Sequence, residues 1–547
     1  MLVALVICVL YAPLFHRTGF DSHEHAWTYL RVIEYEQEFA AGHLPANFTS
    51  AFGGATHAFP FFYPPVAYWL TTGIASIMGD VVLAVHASFL LSVLASALGM
   101  SLLARRLTGD WVLSAAAGLA YATLPYRFVV VLTRGALAES WSLVWFPFLL
   151  LALLGVAERK RRAWVSAAVL GAVIILTHSI TALYFAIGAT VLAVAFGVFD
   201  RREPFVEVVA SAAASVALAA WFVVPQMVYM RELWVSDPGV MWTTPEYVSA
   251  QAVPATTFFL GSPPQVGMRL WVGLPGLMLF PLSVLSLRRV GQSHRAYRIG
   301  LLCLRTWLCF AVLQLGPALW VGWVPAPFRY VQFPWRLLGV SGLLSVLGCV
   351  LFLHSFTRGR SRVRWIVLAA VSGMALLPYP DMREAQVMSE WTDRFLREAL
   401  GTRLAWPGMT AQGEYIPRAV PRGWMQSPPH LSPPVADSGA RLLTWFGNRD
   451  VLHVRAEGPG RITFPLFAYP FYQAVVDGVE NEFGVRANRG FLASTIPSGV
   501  HRLSIVRRVP PWQAVGWGIS AAAVAILGVA CMLRPCESAR SADNRWP

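Results

Sequence analysis

The chain has 547 residues, of which 56% are hydrophobic and only 13% charged, and its mean hydropathy is +0.54. Those values exclude an ordinary soluble domain and a disordered chain, and they point to many membrane spans. The net charge of +14 comes almost wholly from arginine, with Lys160 the one lysine. The arginines gather in short loops between apolar runs, which marks membrane topology rather than a nucleic-acid footprint.

The first apolar segment, 2–15, has no basic leader and no small-residue cleavage site, so it reads as a retained anchor. Directly after it, Asp21, His23, Glu24 and His25 put four titratable side chains where the chain leaves the membrane. Such groups cost little facing water and several kcal/mol facing lipid, so they line an aqueous cavity mouth or a wet loop. Residues 26–41 read as an amphipathic helix lying on the membrane surface. Tyr29, Val32, Ile33 and Ala40 form its apolar face, and Arg31, Glu34 and Glu38 its wet face. A Gly-rich loop, 46–60, leads to Pro64-Pro65, which opens a short apolar helix, 66–78, interfacial or partly inserted.

Further spans are expected at 81–104, 111–127 and 139–157. The run 163–199 has basic flanks at both ends, so it crosses twice and turns at Thr177-His178-Ser179. Others follow at 206–226, 268–287, 299–320, 335–355, 364–379 and 512–533. This gives about twelve spans with both termini cytoplasmic, since every arginine-rich loop then falls on one side. The expected domains are 1–380, a transmembrane domain with a first external loop 16–80; 381–440, an external linker; 441–510, a β-rich module; the last span 511–533; and a tail 534–547. Asp477-Gly478 is a hairpin-type turn, and strands are expected at 451–455, 461–465, 472–476, 491–495 and 502–506. The six cysteines form no CxxC pattern and no disulfide framework.

Several passages resemble membrane glycosyltransferases of the GT-C fold: Asp21-Ser22-His23 after the first span, the helix 26–41, Tyr63-Pro64-Pro65 through Leu70, and 81–106. More narrowly, the chain resembles the bacterial membrane-protein family labelled "6-pyruvoyl-tetrahydropterin synthase-related". The resembling passages are Arg134-Gly135-Ala136-Leu137-Ala138-Glu139, Thr177-His178-Ser179-Ile180-Thr181-Ala182-Leu183, Gln332-Phe333-Pro334-Trp335-Arg336, and Gly413-Glu414-Tyr415-Ile416-Pro417. Its end, Val476-Asp477-Gly478 with Pro497 to His501, is similar to the external β module of YfhO-like membrane proteins. The label does not imply pterin chemistry, since no histidine zinc site is seen.

The resemblance implies a polytopic α-helical membrane protein, GT-C-like, with a small extracytoplasmic β-rich module. It implies a glycosyltransferase at the outer face of the bacterial inner membrane, using a polyprenyl-phosphate-linked sugar donor. The acceptor would be an envelope glycan, lipid or protein. Asp21 would be the catalytic base that deprotonates the acceptor hydroxyl; its plain alternative, shared with Ser22, is a helix N-cap. His23, His25, Arg134, Glu139, His178 and Arg336 would bind substrate. Arg134 and Arg336 suit a lipid phosphate, against an interfacial ion pair with Glu139 and an ordinary interface anchor. His178 has a structural histidine as its alternative. A divalent metal on His23, Glu24 and His25 stands against a solvated helix start. The rival functions are a transporter or flippase of an envelope lipid or polymer, and a non-catalytic envelope assembly factor.

Overall fold

The structure, a computed structural model, describes residues 2–24, 26–52, 55–236, 244–262, 264, 267–290, 295–315, 333–357, 360–375, 387–399, 415–420, 434–437, 439–447, 451–469, 471–480 and 490–533. Helix boundaries follow the start and stop signals in the sequence. Asp80 caps the helix Val81–Thr108 by accepting the Leu83 N–H at 2.9 Å, and Gly109 ends it in the left-handed region. Asp110 caps Trp111–Ala122 in the same way, through the Leu113 N–H at 2.8 Å. These two helices pack closely because position 118 is glycine: a Cβ there would lie 2.6 Å from the Ala97 carbonyl oxygen.

The helix Leu137–Ala157 contains Pro147, which cannot donate to the carbonyl of Leu143. The Tyr121 hydroxyl donates to that carbonyl instead, at 3.0 Å, so the polar group is satisfied where no water reaches it. Among the described residues five helices are long and apolar enough to cross a membrane: Val81–Thr108, Leu137–Ala157, Arg295–Leu315, Pro334–Phe356 and Pro511–Met532. Two bent pairs raise the number to seven. The expected twelve also counted shorter segments, among them the hairpin Ala163–Thr177 and Ser179–Ala195; Val66–Met78, expected to be interfacial or partly inserted, is likewise shorter. That hairpin turns at His178, as expected.

The basic loops meet at one end of the bundle. There Arg106 pairs with Glu158, Arg364 with Asp110, and Lys160 with Glu158 at 3.2 Å. At the other end lie the first loop, the turn before Leu137, His178 and the start of Pro334–Phe356. A small hairpin, β1 (Thr49–Phe52) and β2 (Ala55–His57), replaces part of the expected Gly-rich loop.

The C-terminal sheet comprises β3 (Val435–Ala436), β4 (Arg441–Gly447), β5 (Val451–Phe467), β6 (Tyr472–Val476), β7 (Val479–Glu480) and β8 (Phe491–Arg507). Its order is β3-β5-β8-β6-β7, with β4 also on β5, and every pairing is antiparallel. Four of the expected short strands are halves of the two long strands β5 and β8. The Gly458-Pro459-Gly460 break does not end β5, because an irregularity opposite Gly499 absorbs the proline. Asp477 and Gly478 both have positive φ, the conformation of a two-residue hairpin turn.

The sheet is fastened to the first loop. Phe48 and Phe61 pack on Phe471, with ring centroids 4.8 and 4.5 Å apart. Arg507 lies 4.4 Å above the Phe48 ring and 3.6 Å from buried Glu38. The helix Trp27–Ala40 is therefore not a surface helix with one wet face: Arg31, Glu34 and Glu38 are all buried. The sequence pattern was right about the helix and wrong about its surroundings, because chain distant in sequence covers the charged face.

Candidate functional site

The first bent pair joins Trp111–Ala122 to Pro125–Thr133 at 48°. Proline at 125 disfavours a helical residue before it, so the bend falls there. The second half ends in a π-turn, Val129–Thr133, with the Arg134 N–H reaching the Val129 carbonyl at 2.8 Å. Such widened turns recur at functional sites. Gly135, at φ +63°, reverses the chain into Leu137–Ala157. A side chain there would collide with the Ser22 hydroxyl.

This close approach lets the first loop dock. The His23 N–H donates to the Thr133 carbonyl and the Glu24 N–H to the Arg134 carbonyl, each at 3.0 Å. The Thr28 hydroxyl donates to the Gly135 carbonyl, also at 3.0 Å. The loop carrying Asp21 is thus strapped to the turn carrying Arg134.

Glu139 stands in the first turn of its helix and is 1% exposed. Arg134 pairs with its Oε2, and the Tyr126 hydroxyl donates to its Oε1. Arg336, 9% exposed, brings Nε to 4.0 Å from the same Oε2. Its Nε and Nη1 are buried and have no hydrogen-bond partner among the described residues. Trp335 lies between the two arginines, its ring 4.8 Å from the Arg134 guanidinium and 5.8 Å from that of Arg336.

His178 caps the helix Ser179–Ala195: its Nδ1 accepts the Thr181 N–H at 3.3 Å. That nitrogen is therefore unprotonated, and the neutral ring carries its proton on Nε2. His178 lies within the field of Glu139 and both arginines, and its ring meets Tyr63 edge-on at 6.5 Å.

Asp21 is half-buried and accepts its neighbour Ser22's N–H at 2.9 Å. The N-cap of Trp27–Ala40 is Ala26, without a side-chain hydrogen bond, so neither Asp21 nor Ser22 is the cap considered as the alternative reading. His23 is exposed, and its partial desolvation against the docked turn and then the Arg134 charge hold the imidazole below its usual pKa, so it is neutral near pH 7. Glu24 pairs with Arg31 at 2.9 Å. Arg31 also donates to the Tyr68 hydroxyl at 2.9 Å and lies 4.5 Å over the Phe59 ring. His25 lies outside the described residues, and no group of three His, Cys, Asp or Glu gathers for a metal among the described ones.

Arg134, Glu139, His178 and Arg336 therefore converge, and Asp21 and His23 sit on the loop docked beside them. The sequence reading missed Tyr126 and Trp335 at this cluster and Arg31 behind it. Trp335 lay inside a quoted motif. Tyr126 stood in an apolar run and Arg31 on a supposed wet face, so neither offered a local signal.

A family model described as "6-pyruvoyl-tetrahydropterin synthase related domain; membrane protein" matches residues 61–334. Among solved structures the chain is similar to ArnT from Cupriavidus metallidurans, in a crystal structure described as bound to undecaprenyl phosphate. The identity is 16% over 74% of this chain and 68% of that one, with a TM-score of 0.43. No curated protein matches the chain.

Proposed function

The chain belongs to the 6-pyruvoyl-tetrahydropterin synthase related family of membrane proteins, and from that premise we propose that it is a GT-C-like glycosyltransferase. It takes a sugar from a polyprenyl-phosphate carrier at the outer face of a bacterial inner membrane and passes it to an envelope acceptor. The observation that carries this reading is the pair of buried arginines around one carboxylate. Among the described residues Glu139 is the one carboxylate that pairs with Arg134 and Arg336, and two buried N–H groups of Arg336 lack partners there. A buried cation in excess costs several kcal/mol unless an anion joins it, and a guanidinium suits a phosphate.

In this reading Arg134 and Arg336 hold the carrier phosphate. Glu139 and Tyr126 fix Arg134, and the His178 Nε2–H is a neutral donor beside them. Asp21, on the docked loop, takes the proton of the attacking hydroxyl as the carrier phosphate leaves. His23 lines the mouth of the site.

A second reading, a carrier-lipid flippase, has one observation in its favour. Among the described residues two apolar helix pairs are bent, at 48° and 66°, and the second half of the first pair leads to Arg134; broken spans at a binding site are a transporter device. The two readings separate in one experiment. Purified protein in vesicles, given a polyprenyl-phosphate hexose and isolated envelope glycan, should move label from lipid to glycan, and Arg336→Gln should abolish that transfer. Label that changes leaflet but stays on lipid would favour the flippase.

A further inference from the structure

We propose that this site binds the departing carrier, a phosphate monoester dianion, more tightly than the sugar-bearing diester that delivers it. The inference rests on the glycosyltransferase reading of the same site and adds to it a ligand preference and a brake by product.

The site carries positive charge in excess. Arg134 and Arg336 face the single carboxylate of Glu139. Behind them Arg127, 1% exposed, also lies in the field of Glu139. Its described hydrogen bonds all go to neutral acceptors: the Ser140 carbonyl at 3.1 Å, the Ser92 carbonyl at 3.3 Å and the Ser96 hydroxyl at 3.0 Å. Three guanidinium groups around one carboxylate leave two positive charges in excess.

The other groups facing this cluster do not cancel that excess. Glu24 is neutralised by Arg31, and His178 is neutral by its cap. Tyr126, Tyr184 and Tyr247 are neutral phenols. On the loop, His23 is neutral near pH 7, and Asp21, the one further carboxylate, loses its charge when it takes the acceptor proton, so the excess stands at two at the end of the transfer.

In the transfer the acceptor hydroxyl oxygen bonds to the anomeric carbon. The bond from that carbon to the phosphate oxygen breaks, and its electron pair stays on the phosphate. The hydroxyl proton goes to the Asp21 carboxylate. The carrier phosphate thereby passes from a diester with one negative charge to a monoester with two. A pocket with two positive charges in excess complements the end of this change better than its start. It favours charge that develops during the reaction, and it retains the product.

The test uses the full-length protein in detergent with three probes: farnesyl phosphate, its methyl diester and inorganic phosphate. Affinities are measured by calorimetry at pH 5 and pH 8. The second ionisation of a phosphate monoester has a pKa of about 6, so monoester affinity should rise about tenfold between these pH values. The diester has no second ionisation, and its affinity should stay level, which also controls for titration of His23. At pH 8 the monoester should bind more tightly than the diester, and Arg336→Gln should erase that difference while Arg336→Lys keeps part of it. Equal affinity of monoester and diester at pH 8 overturns the proposal and leaves the transferase reading standing. Failure of both lipids to bind overturns that reading itself. Inorganic phosphate binding as tightly as farnesyl phosphate would overturn a lipid carrier as the source of the dianion.

Discussion

Arg134 takes the Oε2 oxygen of Glu139 that Arg336 only approaches, at 4.0 Å. One carboxylate thus holds one arginine firmly and leaves the other to be completed by something else. The division predicts opposite stability effects. Glu139→Gln strands the Arg134 charge and should cost about 3–5 kcal/mol. Arg336→Gln removes a cation that has few partners, and should leave the melting temperature of ligand-free protein unchanged or raised. Thermal unfolding of both variants in detergent checks this; a large loss for Arg336→Gln would mean that it is a structural pair member.

Tyr121 completes the helix that Pro147 interrupts. Tyr121→Phe leaves the Leu143 carbonyl unsatisfied and should cost about 1–3 kcal/mol. In a Pro147→Ala background the helix regains its own N–H donor, and the same substitution should cost markedly less. A double-mutant cycle measures the difference. Equal costs in both backgrounds would show that the hydroxyl does not serve this carbonyl.

In the sheet, Asp477 accepts the Arg502 backbone N–H at 2.8 Å and meets the His501 Nδ1 at 2.6 Å. These bonds, the backbone one first, hold the Asp477 carboxyl below its ordinary pKa; the Asp477 carboxylate, first, and the Ser498 carbonyl raise the His501 imidazole. The signs define a window. The Asp477 contribution is present above the unfolded carboxylate value near 3.8 and is lost as pH falls through the lower folded value. The His501 contribution is full below 6.5 and is lost as pH rises through the higher folded value. The pair should therefore be tightest in mildly acidic solution. A histidine NMR titration of the full-length protein, with His501→Gln for assignment, should give a midpoint above 6.5 that falls in Asp477→Asn. An unchanged midpoint would remove the pair.

Topology is testable without purification. The loops of Arg106, Lys160 and Arg364 share one end of the bundle, and positive loops stay cytoplasmic. A periplasm-active reporter fused after Gly439 should be active and one fused after Arg362 silent. The reverse pattern would turn the protein over and put the arginine site on the cytoplasmic face.

Much of the helical frame was legible because its signals are local. Asp80, Gly109 and Asp110 mark helix ends, and His178 marks a turn between basic flanks. The Arg134 to Glu139 passage was legible as a motif, and both residues prove to share one buried ion pair. What stayed hidden depends on chain distant in sequence. Arg31 and Glu38 sit on a face that amphipathic spacing assigns to water, and Tyr68 and Arg507 cover them. Tyr126 is thirteen residues from Glu139, with a π-turn and the reversal at Gly135 between them that no periodicity announces. The two long strands were read as four because Gly-Pro-Gly and Pro-Ser-Gly are ordinary turn signals, and only their pairing opposite one another converts them to an irregularity.

The central claim, that the docked loop and the arginine cluster together transfer a sugar, is tested most directly at Asp21. The measurement is the initial rate of label transfer from a polyprenyl-phosphate sugar to acceptor by purified Asp21→Asn, beside the unaltered protein. Asparagine keeps the size and the oxygen that accepts the Ser22 N–H, so the loop should stay docked and the melting temperature unchanged. A general base contributes roughly a factor of 100 to 10,000, and the rate should fall by that much while carrier binding persists. A rate equal to that of the unaltered protein would contradict the account.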